Sequence, residues 1–554
     1  MLLIPGHLLS QPPESSPTTA PMLPLKQVAY LKASNTEAYD HFGCGGGNQG
    51  HTGNSIALSG DGSTMAIGAP FESSGAAGIN GDQRDNSAYA SGAVYVFVRQ
   101  GDSWRQQGYV KASNPGQSDH FGSSVALSRY GHTMAVSAHW ESSAATGING
   151  DQNDNSIPQA GAAYVFARTG TTWTQQAYIK ASNTGKAAQG DMQGDTLADG
   201  DQFGYSIALS GDGHTLAVGA ITEDGAAQHI DGTQHDDSQQ SAGAVYVFTR
   251  TGSTWAQQAF LKGSHVERED MFGFSMALSF DGSTLAGAAF NDRGSGRTIN
   301  APHDTRANGS GAVYVFTRQN GGWSQQAYIK GSRSELSDGF GFATAISEDG
   351  NTIAVGAGDE SCLTPGIDPP GCDNDVLLSG AQAFPQRGAN IWVGATYVFV
   401  RNGTTWTEQA FIKAHNARPY NSFGVKLALS GDGDTLAVSA ALEDNAGQGV
   451  RPPVVQPFLL QGNLDPWREH RDEAEESGAV YFYTRSGSTW TPGAYVKGSN
   501  TDAGDEFGSA VALSGDGRIL VVGAHQEDGA ARGVNGNQAD NSGEDSGAVY
   551  VFVY

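Results

Sequence analysis

The sequence predicts an all-β chain folded as a seven-bladed β-propeller, with four antiparallel strands to a blade. Three observations carry that prediction: a repeat present in seven in-register copies, turn chemistry without helical periodicity, and a phase of the repeat that lets the first strand complete the last blade. The chain has 554 residues, 77 of them Gly, and Gly supplies the positive-φ positions that many tight turns use. Short alternating runs rich in Val, Ile, Tyr, Phe and Thr recur throughout, which is strand periodicity.

Four landmarks recur in order. A Phe-Gly pair stands at Phe42, Phe121, Phe203, Phe272, Phe340, Phe423 and Phe507. An alternating strand follows and turns back through Asp-Gly, as in SIALSGDGSTMAIGA (55–69), a strong hairpin signal. The third landmark is a GAVYVF-type strand opening at Gly92, Gly161, Gly243, Gly311, Gly394, Gly478 and Gly547. Last is a strand of the form W-x-Q-Q-A-Y-[ILV]-K, from Trp104, Trp173, Trp255, Trp323, Trp406 and Trp490. Phe-Gly pairs lie roughly 70 to 85 residues apart, room for four strands with long loops, which is one propeller blade.

The chain opens on the fourth landmark (QVAYLKAS, 27–34) and ends on the third (GAVYVFVY, 547–554). The two ends are therefore expected to share a blade, closing the ring and removing its open edges. Leu25 takes the Trp position in that blade. Residues 1–24, apolar and then Pro/Ser/Thr-rich without a basic start, are expected to be a disordered leader or the remnant of an export segment, and residues 25–554 one propeller. The six Trp side chains are expected to pack blades. The fourth-strand lysines (Lys32, Lys111, Lys180, Lys262, Lys330, Lys413, Lys497) are expected to pair structurally, with the Asp ahead of Phe-Gly as the candidate partner.

The Phe-Gly, Val-Gly-Ala and Gly-Ala-Val-Tyr-Val-Phe landmarks over residues 27–554 resemble the FG-GAP repeat family, known from the propeller head of integrin α subunits, and more nearly its bacterial exported branch. The resemblance implies an extracellular recognition or adhesion module. Integrin-type repeats often carry an Asp-x-Asp-x-Asp-Gly calcium loop between the first two strands. Here that turn reads SGDGST, SGDGHT or SEDGNT, so the familiar calcium site does not carry over.

A formal charge of −26 repels phosphate backbones and anionic lipid, which disfavours nucleic acid as a partner, and no apolar run is long enough to span a membrane. Connections between second and third strands, and between blades, emerge on one face, and they hold nearly all the sequence variety. That face is the candidate binding face for a protein or glycan. After each second strand comes a carboxylate: Glu72, Glu141, Glu223, Asp292, Glu360, Glu443 or Glu527. Four of these loops continue as GINGDQRDNS (78–87), GINGDQNDNS (147–156), IDGTQHDDS (230–238) and GVNGNQADNS (533–542). Such segments offer hard oxygen donors, so Ca²⁺ is expected at Glu72, Asp82, Asp85, Glu141, Asp151, Asp154, Glu223, Asp231, Asp236, Glu527, Asn535 and Asp540. The competing reading is that these Asp, Asn and Ser residues cap turns.

The loops of blades 5 and 6 depart from the pattern, which nominates Trp392, Phe458, Trp467 and Arg468 for ligand contact or for self-association, against packing of each long loop on itself. Cys362 and Cys372 bracket one of these loops, close enough in sequence to form a disulfide or to remain reduced, with Cys44 left over. No catalytic constellation is apparent. A carbohydrate-active enzyme, a lyase or hydrolase, stands as the alternative by analogy of scaffold alone.

Overall fold

The computed structural model describes residues 25–44, 53–185, 200–372, 391–454 and 474–554. These form seven antiparallel sheets and no helix. Blade 1 is Ile56–Leu58, Thr64–Ala69, Ala93–Gln100 and Ser103–Val110, ordered from the central channel outward as in the chain. Blades 2 to 6 repeat that order. Blade 7 has Phe507–Leu513, Ile519–Ala524 and Ala548–Val553, with Lys26–Leu31 as its outermost strand. There Tyr30 lies opposite Tyr550 and Leu31 opposite Val549, so the N-terminal strand closes the ring as the phase of the repeat predicts.

The Asp-Gly hairpins form because Ser and Asp side chains complete them. In blade 1 the Ser59 hydroxyl accepts the N–H of Thr64, Asp61 accepts that of Ser63, and Gly62 takes φ 68°. Phe-Gly is required where blades touch. Phe121 packs edge-on against Tyr164, while a side chain on Gly122 (φ 99°) would meet the Ala93 carbonyl of the preceding blade at 2.6 Å.

The apolar core is a ring of seven clusters, each spanning the seam between two blades; Val94, Val96, Met134, Val136, Tyr164 and Trp173 join blades 1 and 2. Each of the six Trp side chains that open a fourth strand is less than a tenth exposed, as packing residues should be. A polar clasp accompanies it. Trp255 Nε1 and Arg250 both donate to Gln176 Oε1 of the preceding blade, and the Arg250 guanidinium lies 5.5 Å over the Trp255 ring. The same clasp joins Arg318, Trp323 and Gln258, then Arg401, Trp406 and Gln326, then Arg485, Trp490 and Gln409.

The closing blade lacks it. Leu25 replaces Trp and Gly493 stands where the preceding blade would offer Gln, while at the next seam Trp104 meets an apolar cluster that includes Val28. The ring is thus held at blade 7 by apolar burial and the terminal strand pairing, with Tyr554 against Phe482 at 5.0 Å.

The connection after each second strand runs down the outer edge of its own blade. Asn80 N–H donates to the Tyr109 carbonyl and its Oδ1 accepts the Tyr109 N–H; Asn149 with Tyr178, Asp231 with Phe260 and Asn535 with Tyr30 do the same. In blades 5 and 6 this segment is a short fifth strand, Gly366–Ile367 and Val450–Arg451. These segments cover part of an edge that would otherwise be open to pairing. Cys362 and Cys372 form a disulfide with Cα atoms 5.4 Å apart, and Cys44 is buried elsewhere as a thiol.

Candidate functional site

The seven carboxylates after the second strands lie inside the protein. Lys111 Nζ donates to Glu72 Oε2 at 2.8 Å and to Ser91, Tyr109 and Asn35 donate to Oε1, and the Ser74 N–H donates to Oε2. Lys32–Glu527, Lys180–Glu141, Lys262–Glu223, Lys330–Asp292, Lys413–Glu360 and Lys497–Glu443 are the other six pairs, every side chain at most 3% exposed. The Asn belongs to the preceding blade, so the cluster ties seams as well as loops.

This corrects two expectations. The lysines pair with the loop carboxylates and not with the Asp ahead of Phe-Gly. Glu72, Glu141, Glu223 and Glu527 have their lone pairs taken by Lys, Asn and backbone N–H, and in all but Glu223 by Tyr as well, which leaves them unfit as calcium ligands. The remaining candidates cap turns, as the competing reading has it. Asp82 accepts the N–H of Arg84, Asp85 that of Ser87, Asp151 that of Asn153, Asp154 that of Ser156, Asp236 that of Ser238 and Asp540 that of Ser542. Asp231 and Asn535 pair with the outer strand. Among the described residues the one trio of acidic, His or Cys donors close enough to share an ion is Glu360, Cys362 and Cys372, two of which are the disulfide. The donor set does not fit a calcium cage.

The aspartates ahead of Phe-Gly cap the connections between blades. Asp40 accepts the Glu37 N–H, and burial pushes its carboxyl up to about 8, as it pushes Asp505 to about 8 and Asp119 and Asp270 to about 7.

What remains for recognition is the surface of the loop face and the channel mouth it surrounds. Trp392 is 43% exposed there, 6.1 Å from Tyr420. Phe458, Trp467 and Arg468 lie outside the described residues. Tyr39, Tyr89 and Leu336 are also exposed on loop-face connections, whereas among the described residues Tyr130 is the one large ring exposed on a hairpin of the opposite face.

Around the mouth runs an arc of rings that the sequence reading missed. His41 packs tilted against Phe71 at 4.9 Å, Phe71 likewise against His120 at 4.7 Å, His120 stacks on Trp140 at 4.4 Å, and the arc continues from His139 to Tyr205, Phe274 and Phe342. Loss of water pulls His41 and His120 down to about 4 and His139 and His525 to about 3, so all four are neutral imidazoles at pH 7. The signal was present in sequence only as scattered His residues beside Phe-Gly and after second strands.

Two grooves, of about 360 and 350 Å³, flank the outer strand of blade 1 beside Gly108, with Trp104 in one and Trp173 in the other. Neither gathers carboxylates or a nucleophile.

Seven four-stranded blades, each sealed by a buried Lys–carboxylate pair, define a closed β-propeller repeat protein. The profile of the FG-GAP repeat matches residues 104–166, 173–248 and 490–552, so the chain carries FG-GAP repeats within its seven-bladed propeller. Among solved structures, one described as "Crystal structure of RRP9 WD40 repeats" is similar at a TM-score of 0.42 and 10% identity, over 95% of this chain and 100% of that one. No curated protein matches the sequence. No helix among the described residues is long and apolar enough to cross a membrane.

Proposed function

We propose that this propeller is an extracellular recognition or adhesion module that presents its loop face to a protein or glycan. The fold is compatible with a ligand-binding or adhesion role. The observation that carries the reading is the one-sided exposure of large rings: Tyr39, Tyr89 and Trp392 on the loop face against Tyr130 on the other. Tyr and Trp bring contact area at little entropic cost and are the usual anchors of recognition surfaces. A buried lysine held below its ordinary pKa by loss of water recurs in every blade, which suits a framework role better than a single catalytic centre, and no reaction is assigned.

Shielding one face at a time tests the proposal. With Tyr89→Cys or Tyr130→Cys coupled to a polyethylene glycol maleimide, binding to arrays of immobilised glycans and secreted proteins should be abolished by the first and spared by the second. Loss through position 130 alone would refute the loop face as the binding face.

A further inference from the structure

In blade 1 the fourth strand, Ser103–Val110, is the last of its sheet, and its outer edge carries the two grooves. The segment at Ile79 and Asn80 covers that edge from Tyr109 onward. From Ser103 to Gly108, among the described residues, no backbone hydrogen bond joins the strand to anything outside its own sheet. A bulge between Gln106 and Gly108 also leaves Gln107 opposite no residue of the adjoining strand. The groove of about 360 Å³ lies toward blade 7, between Trp104, Phe97 and Val534, and that of about 350 Å³ lies toward blade 2, beside Trp173, Thr171 and Thr172. Both are bordered by Asn80, Arg105, Gln107 and Gly108, so they meet at the edge itself, one on each face of the sheet.

Three departures from the repeat shape these grooves. Gly108 stands where the other six blades have Ala. Packing does not require the glycine, because a Cβ there would sit 3.8 Å from Trp173 Cδ1 and 3.9 Å from Val96 and Val110, ordinary contact distances. Trp104 has no clasp. The other five indoles donate to a Gln of the preceding blade, whereas Val28 takes that place for Trp104 and Arg99 turns back to the Gly101 carbonyl and Asp102. Arg105 replaces the small residues Thr174, Ala256, Ser324, Thr407 and Thr491 of the next five blades. It is exposed, and its guanidinium meets the Gln106 carbonyl at 3.5 Å and no carboxylate among the described residues. No other charged residue borders either groove. Charges more than about 8 Å away are largely screened at physiological salt, so this guanidinium, more than the net charge of −26, sets the sign of what binds beside it.

A strand laid against an open edge sends successive side chains to opposite faces of the sheet. Its backbone hydrogen bonds supply affinity, and pockets for alternate side chains supply specificity. An uncovered edge with one groove on each face offers both. We propose that the outer edge of blade 1 takes an added β-strand from a partner protein. The segment it fits is extended, with a large apolar side chain for the groove at Trp104, a small or polar one for the groove at Thr172, and an Asp or Glu beside Arg105. This surface lies on the outer edge of the ring and is independent of the loop-face function proposed above.

A pool of acetylated, amidated hexapeptides, Thr or Val at alternate positions and the rest varied, tests the proposal on the immobilised full chain, with fluorescence polarisation of the enriched sequences. These should combine a Phe, Trp, Leu or Ile with an Asp or Glu. N-methylation of the peptide should abolish binding at every second residue and be tolerated at those between, as strand pairing requires. Gly108→Ala and Arg105→Thr each install the residue that blade 2 has at that position, so the frame is kept. Each should weaken binding about tenfold, for Arg105 the loss expected of one charge-assisted hydrogen bond, and Arg105→Thr should also erase the preference for Asp over Asn. No enrichment, N-methylation tolerated at every residue, or binding unchanged by both variants would overturn the strand-addition site. Binding seen only after removal of residues 1–24 would overturn it too, by giving the edge to the chain's own N-terminal segment.

Discussion

Removing one partner of a buried Lys–carboxylate pair should be among the most damaging single changes in this protein. At 2.8 Å, Lys111 and Glu72 attract by about 6 kcal/mol at an effective dielectric of 20, and each loses several kcal/mol of hydration, so the intact pair contributes little net stability. Lys111→Met leaves the Glu72 carboxylate 1% exposed, with Tyr109, Asn35 and Ser74 still bound but no counter-charge. The expected loss is about 3 to 5 kcal/mol. Glu72→Gln strands the ammonium instead, and burial, which already pulls Lys111 below its ordinary value, lets it shed the proton and limit the damage. In Lys111→Met/Glu72→Gln neither charge remains, so the double variant should be more stable than the sum of the singles by about 2 kcal/mol or more. Urea unfolding followed by Trp fluorescence at pH 7 measures the cycle. Losses below about 1 kcal/mol for both singles, as for a surface pair, or strict additivity would refute the buried-pair account.

Gln176→Ala removes the acceptor shared by Trp255 and Arg250 and should cost about 1 to 2 kcal/mol in the same assay, whereas Gln175→Ala, which loses only an exposed bond to the Ser113 hydroxyl, should cost less. Stability should pass through a maximum near pH 6. Asp40 and Asp505, raised when folded to about 8, contribute stability present at low pH and lost as pH rises through 8; His41 and His120, lowered to about 4, contribute stability present above their ordinary value of 6.5 and lost as pH falls through 4. Urea midpoints from pH 4 to 9 check this, and Asp40→Asn should flatten the alkaline limb. Because the loop glutamates are held by lysine, saturating calcium or EDTA should leave the melting temperature unchanged; a rise of several degrees with calcium would restore the glutamates as ligands.

The blade count, the strand order and the shared closing blade were legible because each rests on a pattern repeated seven times, and periodicity survives ignorance of any one contact. The Lys–carboxylate cluster was half legible. Lys111 and Glu72 have counterparts in every blade, yet they are separated by a whole connection and strand, and an Asp stands ahead of Phe-Gly in six of the seven blades, with Asn421 in the other, so recurrence did little to choose between partners. Geometry chose: the second strand and the fourth point their loop-face ends into one seam. Asp82 and Asp85 looked like metal ligands because an Asx turn and a calcium loop use the same residues, and the direction of the backbone N–H groups, invisible in sequence, decides between them.

Ring closure by the N-terminal strand supports the assignment of faces and every site on them, and hydrogen–deuterium exchange tests it most directly. Amides of residues 28–31 should exchange as slowly as those of 106–109 in blade 1, and their protection should fall together with that of 549–552 when urea is raised. Exchange of 28–31 within seconds, with 549–552 unprotected on the same side, would mean that the ring is not closed by this strand.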